Sequence, residues 1–226
     1  MTTTGHSALK HRSAILLASA VLLALALPFM QGLVNAASAD GGFYGYKTDL
    51  PVPALPGAAV PQNGLNGVFF GYRSCGTVCP LQLVNLQALG QQWRDQPVHF
   101  VFVTLDPEND SQPLLDATMG ALGRNFRAVR PSSFRHAQAL AGQYGDFAAR
   151  QAGNGADINH SARLYVVTED NRRQLLYATP ELDLARVNAD LTRLLEQTQT
   201  LNNSATRQDR VAQQKSQAKP AHEVNI

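Results

Sequence analysis

The chain has 226 residues, of which 44% are hydrophobic. This is enough for one domain with a hydrophobic core and hardly enough for two. From Asp40 onward it has 17 basic and 17 acidic residues and no cluster of Lys and Arg, so no nucleic-acid-binding surface is expected. Two cysteines, Cys75 and Cys79, are too few for a disulfide-rich scaffold. They suffice for one disulfide, one redox pair or part of a metal site.

Residues 1–39 have the organisation of an export signal. Lys10 and Arg12 precede residues 14–30, which are apolar apart from one serine, and Ala37-Ser38-Ala39 offers a small–x–small cleavage site. The apolar stretch is also nearly long enough to span a bilayer as a helix of about 20 residues. A cleaved signal peptide and an uncleaved membrane anchor therefore both remain open. Either one predicts that the rest of the chain lies outside the cytoplasm.

Residues 40–65 are rich in Gly, Pro and Ala, which predicts an extended connector with at most a short strand. The apolar run Val68–Phe70 then indicates a buried strand at the start of a domain spanning 66–201. Pro80 suits the first turn of a helix, since its missing N–H would be unpaired there anyway. We expect this helix to run from Pro80 to about Trp93.

Cys75 and Cys79 thus lie in a loop between a strand and the helix that follows it. The N-terminus of a helix presents free N–H groups and a partial positive charge, which favour the thiolate form of cysteine. Thiolate is the form that binds soft metals and attacks disulfides. The chemistry of this chain is therefore expected at this loop.

Further elements alternate between strand and helix. The almost continuously apolar residues 98–105 suit a strand covered on both faces in a parallel sheet. Later elements are predicted as a helix at 111–122, a strand at 126–129, a helix from Ser132 or Ser133 to Tyr144, a loop at 145–160, a hairpin of strands at 161–168 and 173–177, and a helix capped by Thr179-Pro180. This order indicates an α/β fold with a central, mostly parallel sheet flanked by helices. The polar residues 202–226 are predicted to form a disordered tail.

Three interpretations of the cysteine pair remain. A structural disulfide would persist in an exported protein, but a bridge across three residues restrains the unfolded chain little. Redox exchange is possible for any accessible dithiol. The spacer is one residue longer than the two-residue spacer of the thioredoxin arrangement, and the wider loop makes room for two sulfurs to face one ion.

A metal site would need a third ligand. Among the histidines, His160 ends a Gly/Asn-rich loop that leads into a strand, and binding residues often collect in such loops. We assign His99 and His136 to packing or surface roles, and Met119 to the core; His6 and His11 belong to the targeting segment and His222 to the tail. Two thiolates and an imidazole suit copper, particularly Cu(I). Structural zinc would normally take four protein ligands.

Three stretches together resemble the Sco/SenC family, copper proteins of cytochrome oxidase assembly, over about residues 66–196. The first is 69–80, which contains both cysteines and is similar to the signature loop of the family. The second is 101–110, which is similar to a strand ending in Asp-Pro-Glu-Arg-Asp. The third is 160–167, which is similar to a His-Ser-Ala segment.

This resemblance implies a thioredoxin-like fold on the periplasmic side of the cytoplasmic membrane, either anchored or free. It implies one copper ion, Cu(I) or Cu(II), held by Cys75, Cys79 and His160. The expected partner is a copper-site subunit of a respiratory oxidase or another copper chaperone. Two features depart from the family pattern: Gly76-Thr77 replaces Pro-Asp, and the N-terminal hairpin with its Asp-Gly turn is not evident.

Two other functions compete with the metallochaperone. In a thiol–disulfide reductase, Cys75 and Cys79 would form a redox pair that keeps the copper-site cysteines of a partner reduced. A redox-sensing module could use the same dithiol. His160 separates these functions from copper binding, because disulfide exchange does not need it.

Overall fold

The computed structural model describes residues 42–151 and 157–217. The chain divides into an N-terminal unit, Met1–Phe43, and a second unit from Tyr44 onward that contains every helix and strand given below. The predicted signal or anchor at 1–39 lies outside the described residues. None of the helices within the described ranges has the length and apolar composition that crossing a bilayer requires.

Between residues 65 and 143 the second unit alternates strands and helices, as the sequence predicts. In chain order, its elements in the described ranges are β1 (Tyr46–Pro51), β2 (Leu65–Gly71), α1 (Cys79–Gln92), β3 (Val98–Thr104), α2 (Gln112–Leu122), β4 (Phe126–Val129), α3 (Phe134–Gln143), β5 (Ala148–Arg150), β6 (Ile158–His160), β7 (Leu164–Thr168), β8 (Arg172–Tyr177) and α4 (Leu184–Gln217).

Six strands form a central sheet in the order β1-β8-β7-β2-β3-β4. Strands β2, β3 and β4 pair in parallel, and β7, β8 and β1 pair antiparallel. The predicted parallel sheet is therefore found in one half only. The other half is antiparallel because a short turn joins β7 to β8, and strands joined in this way must run in opposite directions.

Strand β2 lies in the middle of the sheet, and all seven of its residues are buried. The ring of Phe70 packs edge-on against Tyr144, with centroids 5.3 Å apart, and against Tyr165 at 6.1 Å. Burial of one such side chain contributes about 1.5–3 kcal/mol. In β3, every residue except the half-buried His99 is buried, as expected for a strand covered on both faces.

Helix α1 begins at Cys79, one residue before the predicted start, and Pro80 lies in its first turn. Helix α3 is capped by Ser133, whose hydroxyl accepts the His136 N–H at 3.2 Å. Both helix starts follow from local chemistry. Proline has no N–H group to leave unpaired in the first turn, and the serine hydroxyl accepts an N–H group that would otherwise be unpaired.

Helix α4 differs from the prediction at both ends. It starts at Leu184 and not at Thr179-Pro180, because the Asp183 carboxylate accepts the N–H groups of the first turn, Ala185 at 3.1 Å among them. It continues to Gln217, so the predicted disordered tail is wrong for residues 202–217. The Gln, Ala and Lys residues that, with Asn and Ser, suggested disorder are also good helix formers, and no Gly or Pro interrupts residues 202–217. Residues 218–226 lie outside the described residues.

Two segments predicted to be irregular contain strands. The predicted connector at 40–65 contains β1, which pairs with β8 at the edge of the sheet. The predicted loop at 145–160 contains β5 and β6, which form a separate two-stranded antiparallel sheet, here called the histidine ribbon. Three-residue strands are too short to give a recognisable alternating pattern in a sequence. Residues 152–156, between the two strands, lie outside the described residues.

Candidate metal centre

The cysteine loop, Tyr72–Cys79, begins where β2 ends and includes the first residue of α1. The Gly71 carbonyl accepts the Leu105 N–H at 2.7 Å, which joins the end of β2 to the residue after β3. The chain then turns, and the Cys75 N–H donates to the Tyr72 carbonyl at 3.1 Å. Both ends of the loop are therefore fixed, one by the central sheet and the other by α1.

Gly71 is needed for the position of Cys79. A Cβ atom at Gly71 would lie 2.9 Å from Cys79 Sγ, a separation that real Cβ atoms essentially never show. The missing side chain leaves room for the sulfur against the end of β2. Cys79 is buried there, with 2% of its surface exposed, whereas Cys75 has 6% exposed.

The histidine ribbon brings His160 to the cysteines. His160 is paired with Ala148 in the antiparallel register of β5 and β6. The ribbon is attached to the cysteine loop through Tyr72, whose hydroxyl accepts the Ile158 N–H at 3.3 Å. The Tyr72 ring also meets the imidazole of His160 edge-on, with centroids 5.5 Å apart. His160 is buried as a result. Its side chain lies beside that of Cys75, although 85 positions separate the two residues in the chain.

The side-chain donors of Cys75, Cys79 and His160 form one cluster. His160 Nε2 lies 3.5 Å from Cys75 Sγ and 3.6 Å from Cys79 Sγ, and all three atoms lie within 4.8 Å of one another. Three donors bound at about 2.2 Å in a plane around one ion would be about 3.8 Å apart. The two Nε2–Sγ distances are therefore close to those that a single three-coordinate ion requires. No other group of three His, Cys, Asp or Glu donors with this spacing occurs among the described residues.

The imidazole of His160 is held in one orientation. Its Nδ1 lies 2.6 Å from the Ser161 carbonyl oxygen. A carbonyl can only accept a hydrogen bond, so Nδ1 carries a proton, and in the neutral imidazole the lone pair of Nε2 faces the two sulfurs. This arrangement is the one that a metal-binding histidine uses, because the nitrogen opposite the metal donates to a fixed acceptor.

The two thiols differ in acidity. Burial opposes ionisation of Cys75, but hydrogen bonds from the Thr77 N–H, from Cys79 and from the Thr77 hydroxyl together lower its pKa to about 6. Burial raises the pKa of Cys79 well above its ordinary value, and the neighbouring Cys75 raises it further. The reduced pair therefore holds one thiolate, on Cys75, and one thiol at neutral pH.

Carboxylates in the segment after β3 contact both halves of the site. Asp110 is buried and accepts the Thr104 hydroxyl at 2.5 Å and the Arg73 N–H, within the cysteine loop, at 3.2 Å. Asp106 forms an ion pair with Arg150 of the histidine ribbon at 3.0 Å. One short segment thus ties the cysteine loop to the ribbon.

The other candidate residues lie elsewhere. His99 is half-buried in β3, and its pKa is lowered, chiefly by burial and then by Arg127. His136 is exposed on α3, with Nδ1 3.1 Å from the Ser132 hydroxyl. Met119 is buried in the core with 2% of its surface exposed. These positions agree with the packing and surface roles predicted for them.

A comparison with protein families identifies the chain. Residues 58–196 match the SCO1/SenC family model. The chain belongs to the SCO1/SenC family. The resemblance, stated over about residues 66–196, is thereby confirmed, and the match begins a few residues earlier, at residue 58. No sequence among curated proteins matches the chain significantly.

Solved structures of the family have the same fold. The apo Sco1 protein from Thermus thermophilus is 28% identical, with a TM-score of 0.54 over 67% of this chain and 96% of that chain. Arabidopsis thaliana ScoI with copper bound is 15% identical, with a TM-score of 0.54 over 67% and 98%. A SCO1/SenC family lipoprotein from Bacillus anthracis is 16% identical, with a TM-score of 0.53 over 66% and 95%. The thioredoxin-like α/β fold is confirmed.

Several residues around the site have roles that the sequence does not reveal. Tyr72, Asp110 and Ser161 fall inside the three family-like stretches, but nothing in their spacing indicates which side chains they contact. Asp146 falls in the segment predicted to be a loop, and no motif marks it. Its buried carboxylate accepts the Ser161 hydroxyl at 2.6 Å. Such contacts depend on the fold, because they join segments that are distant in the chain.

Proposed function

We propose that this chain is a metallochaperone that binds one copper ion through Cys75, Cys79 and His160 and delivers it during cytochrome c oxidase assembly. The recipient would be a copper-site subunit of the oxidase or another copper chaperone. Copper is the cargo in this proposal. The protein supplies the donors, their spacing and a route for exchange with the partner.

The observation that carries the proposal is the cluster of two sulfurs and one nitrogen at three-coordinate spacing. Thiolate sulfur selects soft ions, and a set of two thiolates with one imidazole suits Cu(I). No fourth His, Cys, Asp or Glu donor joins the cluster among the described residues, which disfavours structural zinc. The lone pair of His160 Nε2 already faces both sulfurs, so little reorganisation is needed to bind an ion.

Family membership supports the same assignment. A relative in the family, ScoI of Arabidopsis thaliana, has been solved with copper bound. The similarity of the three sequence stretches to the family implies a role in oxidase assembly. The substitution of Gly76-Thr77 for the Pro-Asp of the family removes a carboxylate beside the sulfurs but leaves all three donors in place.

We further infer that the domain works on the periplasmic side of the cytoplasmic membrane. The basic residues and apolar stretch within 1–39 support export, and the relative from Bacillus anthracis is a lipoprotein. A reporter that works only after export, fused behind Ile226, should be active, and a reporter that works only in the cytoplasm should be silent. The opposite pattern would contradict the inferred location.

Copper titration of the reduced protein tests the site. We expect one equivalent of Cu(I) to bind in competition with a chromophoric chelator. His160→Ala should weaken this binding by more than about 100-fold, beyond what the loss of a residue that only orients a metal ligand typically costs. Unchanged copper affinity in His160→Ala would reject the site.

The control is His136→Ala, which removes an exposed histidine of the same chemistry from helix α3. Its copper affinity should equal that of the unmodified protein. An equal loss in both variants would mean that histidines bind copper nonspecifically, and the proposal would then fail.

A second candidate function, thiol–disulfide reductase, is favoured by the different acidities of the two thiols. The Cys75 thiolate, with its pKa of about 6, could attack a disulfide of a partner and form a mixed disulfide. The partner thiolate released in this step would take the proton of Cys79, and the Cys79 thiolate would then attack the Cys75 sulfur. The partner would leave as a dithiol, and the chain would retain a Cys75–Cys79 disulfide, with two electrons transferred to the partner.

His160→Ala distinguishes the two functions. A reductase should keep its rate of disulfide exchange with a model disulfide in this variant, because neither sulfur is lost. A copper chaperone should lose its copper affinity. Loss of exchange with retention of copper binding would contradict both assignments.

A further inference from the structure

Asp146 is a buried carboxylate close to the metal centre that the proposed function does not use. It follows Gly145, whose φ of 80° turns the chain away from the end of α3. The Asp146 N–H donates to the Ala141 carbonyl at 2.8 Å, so its backbone is fixed to that helix. Only 7% of its surface is exposed.

The Asp146 side chain faces the segment that follows His160. One carboxylate oxygen accepts the Ser161 hydroxyl at 2.6 Å and the N–H of its neighbour Phe147 at 2.7 Å. The Ser161 hydroxyl oxygen in turn accepts the Arg163 N–H at 3.3 Å. The hydroxyl therefore makes one hydrogen bond as donor and one as acceptor, which fixes its direction.

Ser161 is also the residue that orients His160. Its carbonyl accepts the Nδ1 proton of the imidazole at 2.6 Å, and Nε2 consequently faces Cys75 and Cys79. Ser161 thus makes two hydrogen bonds, one from its hydroxyl to Asp146 and one from His160 to its carbonyl. A movement of the Ser161 backbone would therefore disturb both hydrogen bonds.

We propose that Asp146 is a positioning residue for His160, because it holds Ser161 so that the Ser161 carbonyl keeps Nε2 of the imidazole directed at the two cysteine sulfurs. This inference rests on the proposed function in one respect, that His160 is a copper ligand. Asp146 itself binds no ion. Partners that orient a metal-binding histidine typically contribute 10–100-fold to metal affinity.

Three variants test the proposal. Asp146→Ala removes the acceptor of the Ser161 hydroxyl, and Ser161→Ala removes the donor. Asp146→Asn keeps a carbonyl oxygen in the same place and should restore most of the function. The Asp146→Ala and Ser161→Ala effects should not add in the double variant, because each removes the same hydrogen bond.

The first measurement uses the reduced apoprotein and needs no copper. The ¹⁵N chemical shifts of the His160 imidazole report which nitrogen carries the proton. The unmodified protein should show a single Nδ1–H tautomer. Asp146→Ala and Ser161→Ala should show a mixture of tautomers or faster exchange of the Nδ1 proton, and Asp146→Asn should resemble the unmodified protein.

The second measurement is copper affinity together with the sulfur-to-copper absorption of the complex. We expect Asp146→Ala to weaken copper binding by about 10–100-fold and to change the absorption spectrum. Asp190→Ala is the matched control. Asp190 is also a buried aspartate, but its carboxylate accepts hydrogen bonds from Tyr44, Gly45 and Tyr177. Its loss should destabilise the fold without changing the tautomer or the copper spectrum.

Each outcome decides the question. An unchanged tautomer and copper affinity in Asp146→Ala would overturn the proposal. An equal loss of copper affinity in Asp190→Ala would also overturn it, because that loss would indicate general destabilisation. If Asp146→Ala fails to fold, Ser161→Ala decides through the same two measurements. If the unmodified protein binds no copper, the proposed function fails, whereas the tautomer measurement still decides whether Asp146 orients His160.

Discussion

The two halves of the metal centre are built in different ways. The cysteine loop follows β2, a fully buried strand of the central sheet, and leads into α1. Gly71 allows the Cys79 sulfur to lie against the end of that strand. The histidine ribbon belongs to a separate sheet of two three-residue strands. Its attachment to the cysteine loop includes the Tyr72 hydroxyl, and its attachment to the segment after β3 includes the Arg150–Asp106 ion pair.

Under the proposed function, this difference suggests how the chain would hold a copper ion and still release it to a partner. The sulfurs are fixed by packing, which changes only when the core is disturbed. The nitrogen is fixed by a few hydrogen bonds, each contributing about 0.5–1.5 kcal/mol. Opening of the ribbon would remove one ligand and leave the other two in place. A partner that offers its own donors could then take the ion in steps.

The largest expected effect is on copper binding, when either cysteine of the cysteine loop is replaced. Cys75→Ser and Cys79→Ser should each abolish detectable copper binding, because each removes one sulfur of three donors. Each should change the free energy of unfolding by only about 1 kcal/mol, the usual range for a single substitution. Copper titration and urea denaturation measure the two effects. Copper binding at the original stoichiometry and affinity in either variant would mean that the site lies elsewhere.

The next effect tests whether the core holds the sulfurs. Gly71→Ala would bring a methyl group to 2.9 Å from Cys79 Sγ and from the ring of Phe69. Overpacking of this kind costs about 1–3 kcal/mol, so both stability and copper affinity should fall. Gly76→Ala is the control, since nothing lies within 4 Å of a Cβ at that position. If the two variants are equally stable, the close packing at Gly71 is not important.

The difference between the cysteine loop and the histidine ribbon also explains which parts of the site the sequence could predict. The cysteine loop follows from local signals, namely an apolar strand, two cysteines and a proline in the first helical turn. All of them lie within 68–80. The sequence also predicts the parallel half of the sheet and the hairpin of β7 and β8, because each has a long apolar pattern or a short turn.

The histidine ribbon could not be derived in the same way. Its strands are too short for an alternating pattern, and the approach of His160 to Cys75 is set by the pairing of His160 with Ala148 and by contacts with Tyr72. In the sequence, only its place in a loop and the family resemblance mark His160. Asp146 carries no local signal, because its role depends on a hydrogen bond to Ser161.

A smaller effect is expected at the junction between the two halves. Tyr72→Phe keeps the ring beside His160 but removes the oxygen that accepts the Ile158 N–H. The loss should cost about 1 kcal/mol and increase hydrogen exchange at the Ile158 amide. Tyr46→Phe, at a side chain that is 67% exposed, should change neither quantity. Unchanged exchange at Ile158 would contradict the idea that the ribbon is held by few contacts.

The acidity of the two sulfurs predicts a pH dependence for the reduced apoprotein. The pKa of Cys75 is lowered to about 6, so its thiolate stabilises the fold above its unfolded pKa of about 8.5, and this contribution is lost as pH falls through 6. The free energy of unfolding should therefore rise between pH 6 and about 8.5. It should fall in more alkaline solution, because the raised pKa of Cys79 favours its buried thiol.

Urea denaturation at a series of pH values measures this profile, and Cys75→Ser is the control. Other groups titrate in the same range and contribute equally to both proteins. The variant should lack only the part of the slope that belongs to Cys75. If the slopes are the same, the Cys75 thiolate is not stabilised by the fold.

The smallest expected effect concerns Thr77, where the chain departs from the family pattern. The Thr77 hydroxyl lies 3.6 Å from Cys75 Sγ, and among the groups that lower the Cys75 pKa it contributes less than its own backbone N–H. Thr77→Val should raise the Cys75 pKa by less than about one unit, since one hydrogen bond is worth about 0.5–1.5 kcal/mol. Thr77→Ser keeps the hydroxyl and should leave the pKa unchanged. The ultraviolet absorbance of the thiolate, followed against pH, measures both variants. A lowered pKa in Thr77→Val would show that the hydroxyl accepts a hydrogen bond from the Cys75 thiol. The backbone at the start of α1 would then have to stabilise the thiolate without help from this side chain.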